Sequence, residues 1–281
     1  MHGSRAVESK LKVSHTCRLP FDFTALDFAA DLAAIAPDDW VAHFNTGYHD
    51  GGWSGVALRA PGGDARRLTA DSSNRLSYID TPALTRCPVI ASVLQRFACP
   101  LETVRLLRLT PGGQIREHHD PGLRYENGVA RLHVPLLTND ASEFYLDNRR
   151  VVMVRGTCWY LNFDLPHRVQ NLGATDRIHL VIDAQVNDWL RALIEGAAAQ
   201  RCPATPAPSS FDAFEAFRYL VLNDSALTAQ FYAIESPSVF IAEVVSVGGA
   251  HGFAFTHADV EAGMRAGVRA AMAHRMVVSG A

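Results

Sequence analysis

The stretch Cys158–Asp183, CWYLNFDLPHRVQNLGATDRIHLVID, holds two apolar runs rich in aromatic and β-branched residues, CWYLNF and RIHLVID. Both have the composition of strands, and Pro166 with the turn around it ends the first, since proline cannot donate to a sheet ladder. The same texture extends upstream. TVRLLRL (103–109) precedes Pro111-Gly112-Gly113, RLHVPLL (131–137) precedes Thr138-Asn139-Asp140, and EFYLD (143–147) and VVMV (151–154) follow. Short strands separated by Gly, Pro, Asn and Asp indicate an antiparallel sandwich or barrel. The expected fold is mainly β with flanking helices: two facing sheets in a jelly roll, a double-stranded β-helix.

Outside that block the texture changes. Upstream lie an amphipathic segment, LDFAADLAAIA (26–36), then Trp40, His43-Phe44-Asn45, and Trp53 after a Gly51-Gly52 turn. After Asp183 the pattern becomes helical (QVNDWLRALIEGAAAQ, 185–200) and breaks at Pro203, Pro206 and Pro208. Prolines so spaced cannot lie inside a helix and read as an extended linker. The expected division is a jelly-roll domain over 1–200, a linker over 201–210 and a small helical domain over 211–281. In the last, Ser210 is expected to cap a helix that buries Phe211, Phe214, Phe217 and Val221. A second helix starts near Asp224. A third follows Ser236-Pro237 and stops at Gly248-Gly249, and a fourth begins at Thr256, with Asp259 three residues on as in a capping box. The aromatic stripe reads as a small core.

Composition narrows the class. The 281 residues are 48% hydrophobic and 20% charged, with a formal charge of −3 and both signs mixed along the chain. A nucleic-acid or membrane surface would want a basic excess or stripe. Cys17, Cys87, Cys99, Cys158 and Cys202 are odd in number and contain no C-x-x-C pair, so buried thiols in a reducing compartment are expected rather than disulfides or a cysteine zinc site. No apolar signal-peptide core and no run of about 18 apolar residues is present. A cytoplasmic enzyme is the expectation.

The chemistry concentrates in Arg116-Glu117-His118-His119-Asp120. In a regular strand, residues two apart share a face. Gln114, Arg116, His118 and Asp120 would then point one way, and Ile115, Glu117 and His119 the other. His118 and Asp120 can therefore reach one ion together, and His119 is the spare. Two histidines plus a carboxylate with open positions is the donor set of non-haem Fe(II) oxygenases. His167 suits as the third ligand, with His133 and His179 as competitors. Ten residues after His167 lies Arg177, whose planar fork could bind a carboxylate bidentately. Arg116 and Arg124 flank the motif and could read a substrate carboxylate.

H-x-D, a His 47 residues after that Asp, and an Arg ten residues after that His closely resemble the 2-oxoglutarate-dependent dioxygenases. More narrowly, the chain resembles the aspartyl/asparaginyl β-hydroxylase family, which includes bacterial proline cis-4-hydroxylases. The likeness covers about residues 35–190 and includes W-x-x-HFN at 40–45, RLHVPL at 131–136 and PH…R-x-H-L-V-I-D at 166–183. It implies His118, Asp120 and His167 as catalytic iron ligands, and Arg177 as the partner of the distal carboxylate of 2-oxoglutarate. Arg131 and His133 match an Arg-x-His pair lining the same pocket. The implied cofactors are Fe(II), 2-oxoglutarate and O2. The implied reaction hydroxylates an unactivated C–H bond of an amino acid, or of an Asp or Asn residue in a peptide, releasing succinate and CO2. Animal aspartyl hydroxylases have glycine in place of the carboxylate ligand; this chain has Asp120.

Residues beyond 210 resemble the Nif-eleven-like leader-peptide family, through N-D-x-x-L at 223–227 and G-F-x-F-T-x-x-D-V at 252–260. That likeness implies a peptide or protein partner for the helical tail. It also leaves a second function class open: a non-catalytic jelly-roll binding module whose tail is the working part.

Overall fold

The structure, a computed structural model, describes residues 15–49, 51–71, 73, 75–199 and 209–265. Its strands are β1 (Thr16–Asp22), β2 (Val41–Ala42), β3 (Trp53–Pro61), β4 (Tyr78–Asp80), β5 (Leu101–Leu109) and β6 (Gln114–His118), followed by β7 (Val129–Leu137), β8 (Ser142–Leu146), β9 (Arg149–Arg150), β10 (Thr157–Leu161), β11 (His167–Asn171) and β12 (Arg177–Gln185). They form two antiparallel sheets. The large one runs β1-β10-β7-β12-β5-β3-β2, with β4 on β3, and the small one runs β6-β11-β8-β9. This is the jelly roll expected from the strand-and-turn pattern.

The two faces of the large sheet carry different chemistry. On β5, β7 and β12, the residues Val104, Leu106, Leu132, Val134, Ile178, Leu180 and Ile182 lie in one continuous core. Helices α1 (Ala29–Ala33), α2 (Pro82–Thr85), α3 (Pro88–Leu94) and α4 (Asp188–Ala199) lie along the chain around it, and Leu84, Ile90, Val93, Leu190 and Ile194 enter that core. Asp31 on α1 is buried and accepts the Ile90 N–H at 2.7 Å, satisfying an orphan donor in the first turn of α3. The alternate residues on the same strands, Thr103, Arg105, Arg131, His133, Arg177, His179 and Asp183, turn the other way, as strand alternation requires. A second core of Trp53, Leu109, Ile115, Phe144, Leu146, Phe163 and Val169 fills the rest of the space between the sheets.

One strand expectation needs correction. VVMV (151–154) joins no ladder. β8 and β9 meet in a tight hairpin at Asp147 and Asn148, both with positive φ, and β9 is the edge of its sheet. The chain beyond it stays extended, with Val151 and Met153 buried and Val152 and Val154 exposed. It anchors by side-chain burial, by a Val151 N–H bond to the Phe144 carbonyl and by a Val154 carbonyl that accepts from Thr157. Conversely, HRVQN forms a full strand, β11, paired on both sides.

The linker expected over 201–210 lies, as far as 208, outside the described residues. Beyond it come α5 (Ser210–Asn223), α6 (Ser225–Tyr232), α7 (Pro237–Ala250) and a helical run over 257–265. Ser209, not Ser210, caps α5, in a capping box with Asp212. Asp224 caps α6 by accepting the Ala226 and Leu227 N–H groups, and Thr256 and Asp259 hydrogen-bond reciprocally. Phe214, Phe217, Phe231, Val244, Phe255 and Val260 form the tail's own core. Glu215, Arg218 and Leu222 on α5 share a cleft with Gln114, Arg116, Arg168 and Gln170 on the small sheet. Helix α7 ends at Ala250, one residue past Gly248-Gly249, and a Cβ on Gly248 would sit 2.3 Å from the Phe255 ring. The glycine makes room for that ring rather than ending the helix. Gly248→Val is therefore expected to lower stability by about 1–3 kcal/mol through overpacking. Gly249→Ala, which meets nothing within 4 Å, is expected to raise it by up to about 1 kcal/mol through helix propensity. Urea unfolding followed by far-UV circular dichroism would show the opposite signs.

Candidate metal centre

His118 ends β6 and His167 begins β11, directly opposite each other across the antiparallel ladder. From there to the pair Val169 and Ile115, β11 advances two residues and β6 three. Strand β6 therefore carries a bulge, which re-aims side chains and shifts which residues share a face. The regular alternation expected for QIREHHD does not hold. Gln114 and Arg116 are exposed, whereas Ile115 is buried and lines the inter-sheet cavity together with His118. His119 is exposed, as a spare residue should be. Asp120 leaves the strand, and its N–H donates to the Phe163 carbonyl at 2.8 Å.

His118, Asp120 and His167 each bring one ligand atom within 4.8 Å of the others. His133 and His179 fall outside this group among the described residues. The imidazoles are fixed from behind. Nδ1 of His118 lies 2.8 Å from the Arg116 carbonyl, and Nδ1 of His167 lies 3.0 Å from the Leu165 carbonyl. A carbonyl only accepts, so each Nδ1 carries the proton and each Nε2 keeps a lone pair for a ligand role. Tyr48 stacks on the His118 ring at 4.5 Å, and its carbonyl accepts from the Arg116 N–H at 2.7 Å. The 43–49 loop is thereby tied to the metal-bearing strand.

The group opens on a cavity of about 230 Å³, lined also by His43, Trp53, Arg105, Arg131, His133, Phe163 and Arg177. That is below the usual range for ligand sites, about 300–1,000 Å³. Phe44 stands 65% exposed among its lining residues. Arg131 pairs with Asp120 and, through Nε at 2.7 Å and Nη2 at 3.1 Å, with Asp183. Asp183 also accepts from Arg105 at 2.9 Å and Thr103 at 2.6 Å. Burial alone would raise the Asp183 carboxyl, but Arg105 and then Arg131 outweigh it and hold the group well below the usual range. Burial likewise opposes ionisation of Asp120, and Arg131, His167 and His118 together reverse that, leaving it lowered.

Arg177 differs. It is 4% exposed, its guanidinium donates to His179 Nδ1 at 3.1 Å, and no carboxylate pairs with it among the described residues. Burial lowers it to about 9. His133 Nδ1 lies 3.3 Å from the same His179 nitrogen, while His133 Nε2 is buried without a partner. Arg116 and Arg124 do not line the cavity. Arg116 donates to the Gly47 carbonyl and Arg124 to Asn127.

The family profile described as aspartyl/asparaginyl beta-hydroxylase matches residues 28–186. The chain belongs to this family. An L-proline cis-4-hydroxylase from Rhizobium meliloti (strain 1021) is 28% identical over 171 residues, which is 59% of this chain and 58% of that protein. The chain thus spans less than two thirds of that relative's length. Among solved structures, a 2OG-Fe(II) oxygenase family oxidoreductase from Burkholderia pseudomallei is 13% identical and covers 47% of this chain and 68% of its own, at a TM-score of 0.35. The viral collagen prolyl hydroxylase of Paramecium Bursaria Chlorella virus-1 is 15% identical, covering 39% of this chain and 77% of its own, at a TM-score of 0.29. Likenesses this partial bear on neither activity nor ligand. Among the described residues no helix is long and apolar enough to cross a membrane.

Sequence reasoning did not single out Thr103, Arg105 or Asp183 as site residues, nor Tyr48 as a cover for His118. The available signal was opposite charges on two inward-facing strands, Arg131 on one and Asp183 on the other.

His118→Ala, Asp120→Ala and His167→Ala should each abolish tight Fe(II) binding in anaerobic titrations, whereas His119→Ala should cost at most about 10–100-fold. Retention of full affinity by any of the first three would redraw the ligand set. A second expectation concerns pH. Burial lowers His43 to about 3 and His167 to about 4. Unfolded histidine titrates near 6.5, so the unfolded chain takes up protons first as pH falls, and stability drops between about 6.5 and 4. Urea midpoints of the metal-free protein should fall across that window, less steeply in His43→Phe.

Proposed function

We propose that the protein is an Fe(II)- and 2-oxoglutarate-dependent dioxygenase that hydroxylates an unactivated C–H bond of a small amino acid, or of an Asp or Asn residue in a peptide. Succinate and CO2 would be the co-products. One observation carries this reading. A single small cavity joins a two-histidine, one-carboxylate group to a buried guanidinium with no carboxylate partner among the described residues. A buried cation wants an anion, and the donor set is that of non-haem iron sites with open positions.

The residues fit the ion. His118 and His167 would ligate through Nε2, each held by the carbonyl behind it, and Asp120 through a carboxylate oxygen. Bound iron supplies the oxidising chemistry, with the 2-oxo acid and O2 as co-substrates. The chain does the rest. Arg177 binds the far carboxylate of the 2-oxo acid, its fork held by His179. His133 lines the cavity and keeps a buried, unsatisfied Nε2. Trp53, Leu109, Phe144 and Phe163 keep water from the reacting centre. The small cavity supports a free amino acid ahead of a peptide, and the relative's name puts proline first in a substrate panel. The helical tail, in this reading, accompanies the enzyme as a docking element for a peptide or protein partner.

Succinate formation with Fe(II) and 2-oxoglutarate, across free amino acids and Asp- or Asn-containing peptides, tests the activity. Arg177→Ala should raise the KM for 2-oxoglutarate by roughly 10–100-fold, as expected for a charged hydrogen bond, and leave Fe(II) affinity unchanged. An unchanged KM would remove Arg177 from the co-substrate site. A protein that binds Fe(II) but never forms succinate would end the oxygenase reading.

A further inference from the structure

Behind the cavity lining, bonded to its Arg105 and Arg131, lies a carboxylate that touches no ligand position. Asp183 lies on β12 directly opposite Arg131 on β7, and it is 2% exposed. Four hydrogen bonds converge on it: two from Arg131, one from Arg105 and one from the Thr103 hydroxyl. Thr103 in turn accepts from Arg105 at 2.6 Å, so Asp183, Thr103 and Arg105 each hold the other two. Such a bidentate cross-strand pair sets the plane of the guanidinium and leaves its rotation no freedom. The remaining nitrogen of Arg131, Nη1, points at one oxygen of Asp120, Oδ2.

The geometry points to Asp183 as the positioning residue of the metal centre: by clamping Arg131 it fixes Oδ2 of Asp120 and leaves the other carboxylate oxygen for the ion. Arg131 thus acts as a strut between a carboxylate that faces the histidines and one that never does. Asp120 stands outside the regular strand, its backbone bonded to the Phe163 carbonyl and the Leu123 N–H and its side chain held by this strut. The histidines have carbonyls behind them; Asp120 has Arg131, and Arg131 has Asp183. This inference rests on the metal-site reading above. It also separates Arg131 from Arg177. The first has its hydrogen bonds committed to two carboxylates, and the second has none so committed among the described residues.

Mn(II) binding to the full chain, followed by loss of the free-ion electron paramagnetic resonance signal, tests the role without any turnover. Asp183→Asn keeps the shape, removes the charge and is expected to weaken Mn(II) binding by about 10–100-fold, the range for groups that orient ligands. It should also broaden the spectrum of the bound ion. Thr103→Val removes one of the four bonds and should fall between wild type and Asp183→Asn. Asp31→Asn serves as the control, since it removes a buried carboxylate remote from the cavity; it should lower the melting temperature and leave Mn(II) affinity unchanged. If Asp183→Asn folds and binds Mn(II) as wild type does, the role is overturned. If it does not fold, Thr103→Val decides, and unchanged affinity there overturns the role equally. Equal losses in the Asp31 and Asp183 variants would reduce the effect to general stability and also overturn it. A wild type that binds neither Mn(II) nor Fe(II) would instead remove the metal-site reading itself.

Discussion

Everything between the two sheets depends on one constraint: charged groups placed on the inner face of the large sheet must neutralise one another there. Arg131, Asp183 and Arg105 do so as an alternating chain completed by Asp120, which reaches them from just past β6 of the small sheet. Removing one partner of a buried pair typically costs about 3–5 kcal/mol, because the other charge is left behind. The chain is therefore stable only complete, and its geometry is correspondingly fixed. The other face of the same strands is mostly apolar against the helices, with Glu102 among the exceptions. The fold can carry a polar interior because half of every inner strand still builds an ordinary hydrophobic core.

Against that balanced set, Arg177 stands out. The balanced cluster is self-sufficient, whereas the cation at the start of β12 has only an imidazole beside it. That contrast, rather than the number of arginines in the cavity, separates a group that builds the site from one that awaits a ligand.

Much of this was legible in the sequence. The strands β5, β7, β10 and β12 follow from apolar runs bounded by turn residues, and His118, Asp120, His167 and Arg177 follow from donor types and spacing. Strand β11 was harder, since HRVQN has too few apolar residues to signal a ladder, and its strand character comes from pairing on both sides. The unpaired VVMV was misread for the complementary reason: composition reports what suits a strand, but not whether a neighbour exists. The Asp183–Arg131 pair joins residues 52 positions apart, and only the strand order brings them face to face. In the tail, caps and core residues could be read to within one residue. Gly248 could not, because a glycine that ends a helix and one that admits a neighbouring ring look alike in one dimension.

The bulge in β6 has a consequence for how this strand can be spelled. Counted inward from Ile115, an unbroken strand would present Glu117 and His119 to the cavity, also a carboxylate and an imidazole. The peptide thus contains two superimposed donor sets, offset by a single step, and the extra residue selects between them. The choice is secured from both sides. Arg168 ties Glu117 at 3.1 Å on the outer surface, and the Phe163 carbonyl ties the Asp120 amide within. Frame, as much as residue identity, is what this segment encodes, so a single inserted or deleted residue here would re-address the donors while leaving every side chain in the text.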